Sequence, residues 1–182
     1  MKTALLVIDV QHGLFDKEPR PLEAAGVIDR INALTDSARA SDCPVVFIQH
    51  ERESSPLAYD SVNWQLARDI KTADDDQFVR KTTPDSFLRT GLHELLQAKG
   101  VDHLVISGYA CEFCVDTTTR RAAGLGYAVT IASDAHTTHD KAHASALSIR
   151  EHENATLPNL TSFGPKITAT PSADIRFAEP GR

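Results

Sequence analysis

Short apolar runs alternate along the chain with segments of helical period, and this alternation restricts the possible folds more than any other feature. The runs are Ala4–Ile8, Val45–Gln49, Gln77–Lys81, His103–Ser107 and Ala128–Ser133. Most are rich in Val and Ile and continuous, without the polar alternate positions of a half-wet strand. Strands of this kind are buried on both faces, as in a parallel sheet covered by helices. Between them, Leu22 to Ala40 carries apolar residues at 27, 28, 31, 34 and 38, close to a 3.6 period. Thr90 to Ala98 repeats the pattern with Leu92, Leu95 and Leu96, and Gly100 supplies a stop. Two more helices are predicted, from about Cys111 to Leu125 and from about His139 to Asn154. The expected architecture is a three-layer α/β/α sandwich around a mainly parallel, Rossmann-like sheet of roughly six strands.

No linker-like stretch or repeat divides the 182 residues, so the whole chain is read as one domain. From about Phe163 onward Pro165, Pro171 and Pro180 break any period. That part is expected to be a tail that packs irregularly or swaps onto a neighbouring subunit, with residues 179–182 mobile. A formal charge of -6 and scattered Lys and Arg argue against a nucleic-acid or anionic-membrane surface. The first apolar run is too short for a signal-peptide core, and none approaches the ~20 residues of a membrane span. The chain is therefore read as cytoplasmic. Cys43, Cys111 and Cys114 are too few and odd in number for a disulfide framework, so a reactive thiol is worth seeking.

In an open parallel sheet, ligands bind outside the carboxyl ends of the strands. Asp9 closes the first strand, His50 and Glu51 follow the second, Lys81 closes the third, and Cys114 opens the helix after the Gly108 turn. A thiol at a helix N-terminus feels the positive end of the dipole, which lowers its pKa toward the thiolate. The unpaired N–H groups there can also hold an oxyanion. A buried structural cysteine fits the same position. Asp9 needs a partner if it is buried and charged, and Lys81 can supply one. The carboxylate could then act as general base toward the thiol, although a plain buried ion pair accounts for the two residues equally well.

The combination resembles the isochorismatase-like cysteine hydrolases over nearly the whole chain. The matching motifs are Ala4-Leu-Leu-Val-Ile-Asp9-Val-Gln11, Lys81 followed by Ser86-Phe87 and Thr90-x-Leu92, and Gly108-x-x-x-x-x-Cys114-Val115. Arg121-Ala122-Ala123-x-Leu-Gly126-Tyr127 leading to Ser133-Asp134-Ala135 follows in the right order. The resemblance implies a catalytic triad of Asp9, Lys81 and Cys114. It also implies a cis peptide at Tyr109–Ala110 that aims a backbone N–H at the oxyanion beside that of Cys114. It further implies a homo-oligomer, a dimer or higher. Many relatives carry Thr where this chain has Cys111. The founding isochorismatases lack the nucleophilic Cys, so Cys114 points to the amidase-type branch. The run Glu112-Phe113-Cys114-Val115-Asp116-Thr117-Thr118 looks most like the streptothricin-hydrolase-like members. The zinc-dependent nicotinamidases carry Asp-x-His after the second strand, where this chain reads Gln49-His50-Glu51-Arg52-Glu53, so no zinc or other cofactor is expected.

The reading is a hydrolase that cleaves an amide, ureide or lactam C–N bond of a small molecule through a thioester. Phe15, His50, Glu51, Phe87, Tyr109, Glu112 and Phe113 are the substrate-pocket candidates, and Trp64 is as readily a core or interface residue. Two other classes stay open: a thiol redox or sensing protein using Cys111-x-x-Cys114, and a non-catalytic assembly module. Asp134-x-His136-x-x-His139, with His143, has plausible metal spacing but reads more simply as a helix start.

Overall fold

The computed structural model describes residues 2–177. Six strands form one parallel sheet: β1 Thr3–Ile8, β2 Val45–His50, β3 Gln77–Lys81, β4 His103–Tyr109, β5 Ala128–Thr137 and β6 Ile167–Thr170. Their order is β3-β2-β1-β4-β5-β6, so β1 is central and the winding reverses beside it. Helices α1 His12–Phe15, α2 Ala24–Ala40, α3 Leu92–Ala98, α4 Asp116–Gly124 and α5 Ala146–Thr156 complete the fold.

The continuous apolar strands feed two cores at once. In β1, Leu6 and Ile8 join one core with Val46, Ile48, Leu92, Leu96, Leu104 and Ala122. Leu5 and Val7 join the other with Phe47, Val27, Ile28, Ile31 and Leu34. Alternate residues of one strand thus face opposite layers, and each large side chain contributes about 1.5–3 kcal/mol on burial. The predicted apolar positions of α2 are its buried ones: Val27, Ile28, Ile31, Leu34 and Ala38. No helix among the described residues is long and apolar enough to cross a membrane.

Two expectations need correction. The segment from Phe163 is not irregular throughout, because Ile167–Thr170 pairs in parallel with β5 from Val129↔Ile167 to Ala132↔Thr170. Ile175 and Phe177 then pack into the second core. Four residues between two prolines are too few to display a strand period. The mobility expected of residues 179–182 concerns residues outside the described ones. The last helix starts at Ala146 and not near His139. Its N-cap is Ser145, whose Oγ accepts from Ser148 N at 3.1 Å, while the His139 ring bridges Tyr109 and Pro19 instead.

Helix α5 also buries an acid. Glu153 is 7% exposed, and its Oε2 has no hydrogen-bond partner. Burial, followed by the Asp116 carboxylate, pushes its pKa up to about 7. The folded state holds this proton where the unfolded chain has released it, from about pH 4.5 upward. The resulting destabilisation is absent below pH 4.5 and complete above pH 7. Glu153→Gln is therefore expected to stabilise the protein by on the order of 1–2 kcal/mol at pH 8 and hardly at all at pH 4.5. Melting curves at the two pH values check the sign.

Candidate active site

The parallel register brings the carboxyl ends of four neighbouring strands, β3, β2, β1 and β4, to one edge. Ile8 of β1 pairs with Ile48 of β2 and with Gly108 of β4. His50 pairs with Lys81. Asp9 follows directly with φ 54° and donates its N–H to Ile48 O at 2.8 Å. Gly108 has φ 112°, and a Cβ there would collide with the Ile8 carbonyl. Only glycine lets β4 run this close to the residue preceding Asp9.

Beyond Gly108 the Tyr109–Ala110 peptide is cis. The next residues, Cys111–Val115, form one stretch of π-helix that runs into α4. Cys114 lies inside this stretch and is partly exposed, whereas Cys111 is fully buried.

Lys81, only 1% exposed, ends β3 and occupies the centre of the cluster. Its Nζ lies 2.7 Å from Asp9 Oδ2, 3.2 Å from Cys114 Sγ, 3.3 Å from His50 Nδ1 and 3.3 Å from Thr83 O. Burial works against the ammonium, but Asp9 and then Cys114 outweigh it and hold its pKa above the ordinary lysine value. Asp9 is 2% exposed, and its other oxygen, Oδ1, is buried without a hydrogen-bond partner. One atom each of Asp9, His50 and Cys114 lie within 4.8 Å of one another. That spacing would suit a metal, but the Lys81 ammonium is bonded to all three and already supplies the cation.

The thiol does not have the lowered pKa expected of a helix N-terminus. Burial, followed by the Asp9 charge, pushes Cys114 up to about 12, and Lys81 only partly offsets this. The resting thiol is therefore protonated, and the Asp9 side chain stands beside it.

The remaining candidates separate. Phe15 is fully buried and meets the Tyr109 ring edge-on at 6.0 Å. Tyr109 donates its hydroxyl to His139 Nδ1 at 2.9 Å, while His139 Nε2 donates to Pro19 O at 2.8 Å. Phe113 is 53% exposed beside Cys114, with Lys141 Nζ 5.6 Å from its ring centre. Glu112 accepts from Thr138 Oγ1 at 2.9 Å and pairs with Lys141 at 3.2 Å. Phe87 is a core residue and not a pocket wall: it is 7% exposed and stacks on Tyr127 at 5.9 Å. Glu51 is turned toward the sheet edge, because Arg80 binds both its oxygens at 2.7 and 2.9 Å. Trp64 lines a groove of about 640 Å³ with Tyr59, Phe78 and Arg80. That groove lies on the other face of β3 from Lys81. Asp134, His136 and His139 point to Ser172, Asn154 and Tyr109 respectively, so that trio does not converge.

The buried amide of Gln11 was not singled out by sequence. It donates to His50 O and Trp64 O at 3.0 and 2.8 Å and accepts from His50 N at 2.9 Å. A polar residue two positions past Asp9 at the end of a buried strand was the available signal.

The isochorismatase domain model matches residues 3–162. A streptothricin hydrolase from Streptomyces noursei is 39% identical over 140 residues, which are 75% of this chain and 50% of that protein. The chain thus spans about half the length of this curated relative. The ureidoacrylate amidohydrolase of Pseudomonas savastanoi pv. phaseolicola is 26% identical over 171 residues, covering 74% of this chain and 70% of that protein. A crystal structure of an isochorismatase family protein superposes with a TM-score of 0.84 at 34% identity, covering 92% of this chain and 97% of that one.

Proposed function

The chain belongs to the isochorismatase family, and from that membership we propose that it is a cysteine hydrolase cleaving a C–N bond of a small amide, ureide or lactam. The observation that carries this reading is the single ammonium held 2.7 Å from a buried carboxylate and 3.2 Å from a partly exposed thiol. The streptothricin hydrolase and the amidohydrolase among its relatives favour the same bond class.

Asp9 takes the proton of Cys114 as the sulfur attacks the substrate carbonyl, so a C–S bond forms as the S–H bond breaks. Lys81 keeps the carboxylate oriented and offsets charge on the sulfur. Backbone N–H groups at Ala110 and Cys114, after the Tyr109 turn, receive the oxyanion. The intermediate collapses, Asp9 returns the proton to the departing nitrogen, and a thioester remains on Cys114. Water, deprotonated by Asp9, then releases the acid and restores the thiol. No step requires a cofactor. Exposed Phe113 and the Glu112–Lys141 pair form the rim that a small polar substrate passes.

Because the resting thiol is neutral, substrate and base must act together. A panel of small amides, ureides and lactams, quenched in acid during turnover, is expected to place an acyl mass on the peptide containing Cys114. An adduct on another residue would sink the assignment. The same reading takes the 182-residue chain as one domain and the protein as a cytoplasmic homo-oligomer, whose assembly sedimentation measures.

A further inference from the structure

His50 touches the Lys81 ammonium yet has no part in the chemistry derived above. Its place is built. It closes β2 directly opposite Lys81 in the strand register, and Gln11, itself fully buried, clamps its backbone N–H and carbonyl at 2.9 and 3.0 Å. A lysine ammonium has three donors and no acceptor. The Nδ1 facing it at 3.3 Å must therefore be the bare ring nitrogen, which makes His50 the neutral tautomer with its hydrogen on Nε2. The environment keeps it neutral: burial, then the Lys81 charge, lower its pKa, against smaller opposing contributions from Asp9, the Thr83 backbone and Glu51.

We propose that His50 is a positioning residue: by accepting from Lys81 Nζ, it fixes the ammonium between Asp9 Oδ2 and Cys114 Sγ. The inference rests on the reading of Cys114 as nucleophile and Asp9 as base. Three acceptors, Asp9, Cys114 and His50, match the three ammonium hydrogens, with Thr83 O as a fourth at 3.3 Å. Without the imidazole, the ammonium is free to swing toward Thr83 O or to settle on Asp9 alone. Its contact with sulfur is the longer of the two reactive ones, so the forming thiolate loses its counter-charge first.

The test uses iodoacetamide, a small neutral electrophile, on purified wild type, His50→Asn and His50→Leu. Alkylation of Cys114 is followed at pH 8 by peptide mass spectrometry, with melting curves to show that each variant is folded. His50→Leu is expected to slow alkylation at pH 8 by about tenfold, because the small thiolate population falls by that factor when its counter-charge is lost. His50→Asn, whose Oδ1 can stand where Nδ1 stood, is expected to stay within about threefold of wild type. His50→Ala replaces the leucine variant if that one does not fold. Coincident rates for wild type and His50→Leu would overturn the proposal. So would equal slowing in the Asn and Leu variants, since the ring would then only fill space. Failure of the nucleophile reading looks different: Cys114→Ala would hydrolyse a verified substrate at the wild-type rate, whatever the His50 variants do.

Discussion

Cys114→Ala is expected to lower kcat/KM on a verified substrate by roughly four orders of magnitude or more, because it removes the bond-forming atom itself. Cys114→Ser is expected to lose nearly as much. A hydroxyl is a far weaker acid than a thiol, and the base proposed for it, Asp9, is a carboxylate already paired with Lys81 at 2.7 Å. Both variants are expected to fold, since Cys114 is partly exposed and the replacements are small. Progress curves for the two variants and wild type, run in parallel on one substrate, make the measurement. Undiminished turnover by the alanine variant would remove Cys114 from the mechanism.

The second large effect is on stability. Lys81 and Asp9 are 1% and 2% exposed, so Lys81→Met leaves a buried carboxylate without its cation. Breaking such a pair from one side costs about 3–5 kcal/mol. For a chain of this size that corresponds to a fall in Tm of about 6–20 °C. Asp9→Asn combined with Lys81→Met removes both charges and is expected to recover most of that loss while remaining inactive. If the double variant melts no higher than the single one, the Lys81 stem rather than its charge maintains the site. Calorimetry of the three proteins separates the outcomes, and the activity of each shows that stability and turnover part company here.

The sheet was legible where strands are buried on both faces, since Leu5 and Leu6 must both be apolar when they enter different cores. Strand β6 was not, because Ile167–Thr170 contributes one buried side chain between two prolines. The start of α5 was misplaced to about His139 by the motif there that reads as a helix start. The true cap is Ser145, and Asp140 instead accepts from Ala146 N at 2.8 Å across the loop. At the site, the positions of Asp9, Lys81 and Cys114 at strand ends were readable. Their electrostatics were not. Position in sequence exposes the helix dipole on Cys114, whereas burial and Asp9 dominate once the sheet closes over them. The Gln11–His50–Lys81 chain was equally hidden, because it depends on strand register and not on spacing along one segment.

The strand order has a consequence for cutting the chain. Asp9 lies on the first half of the sheet, with β1 and β2, while Lys81 and Cys114 both come after the exposed segment at residues 71–75. A break there yields one fragment with the base and another with the cation and the sulfur, neither able to catalyse alone. Pairing of β3 with β2 and of β4 with β1 would reunite them. Hydrolysis recovered on mixing would then report strand reassembly directly, turning the proposed hydrolase into a split reporter whose signal requires the native sheet order.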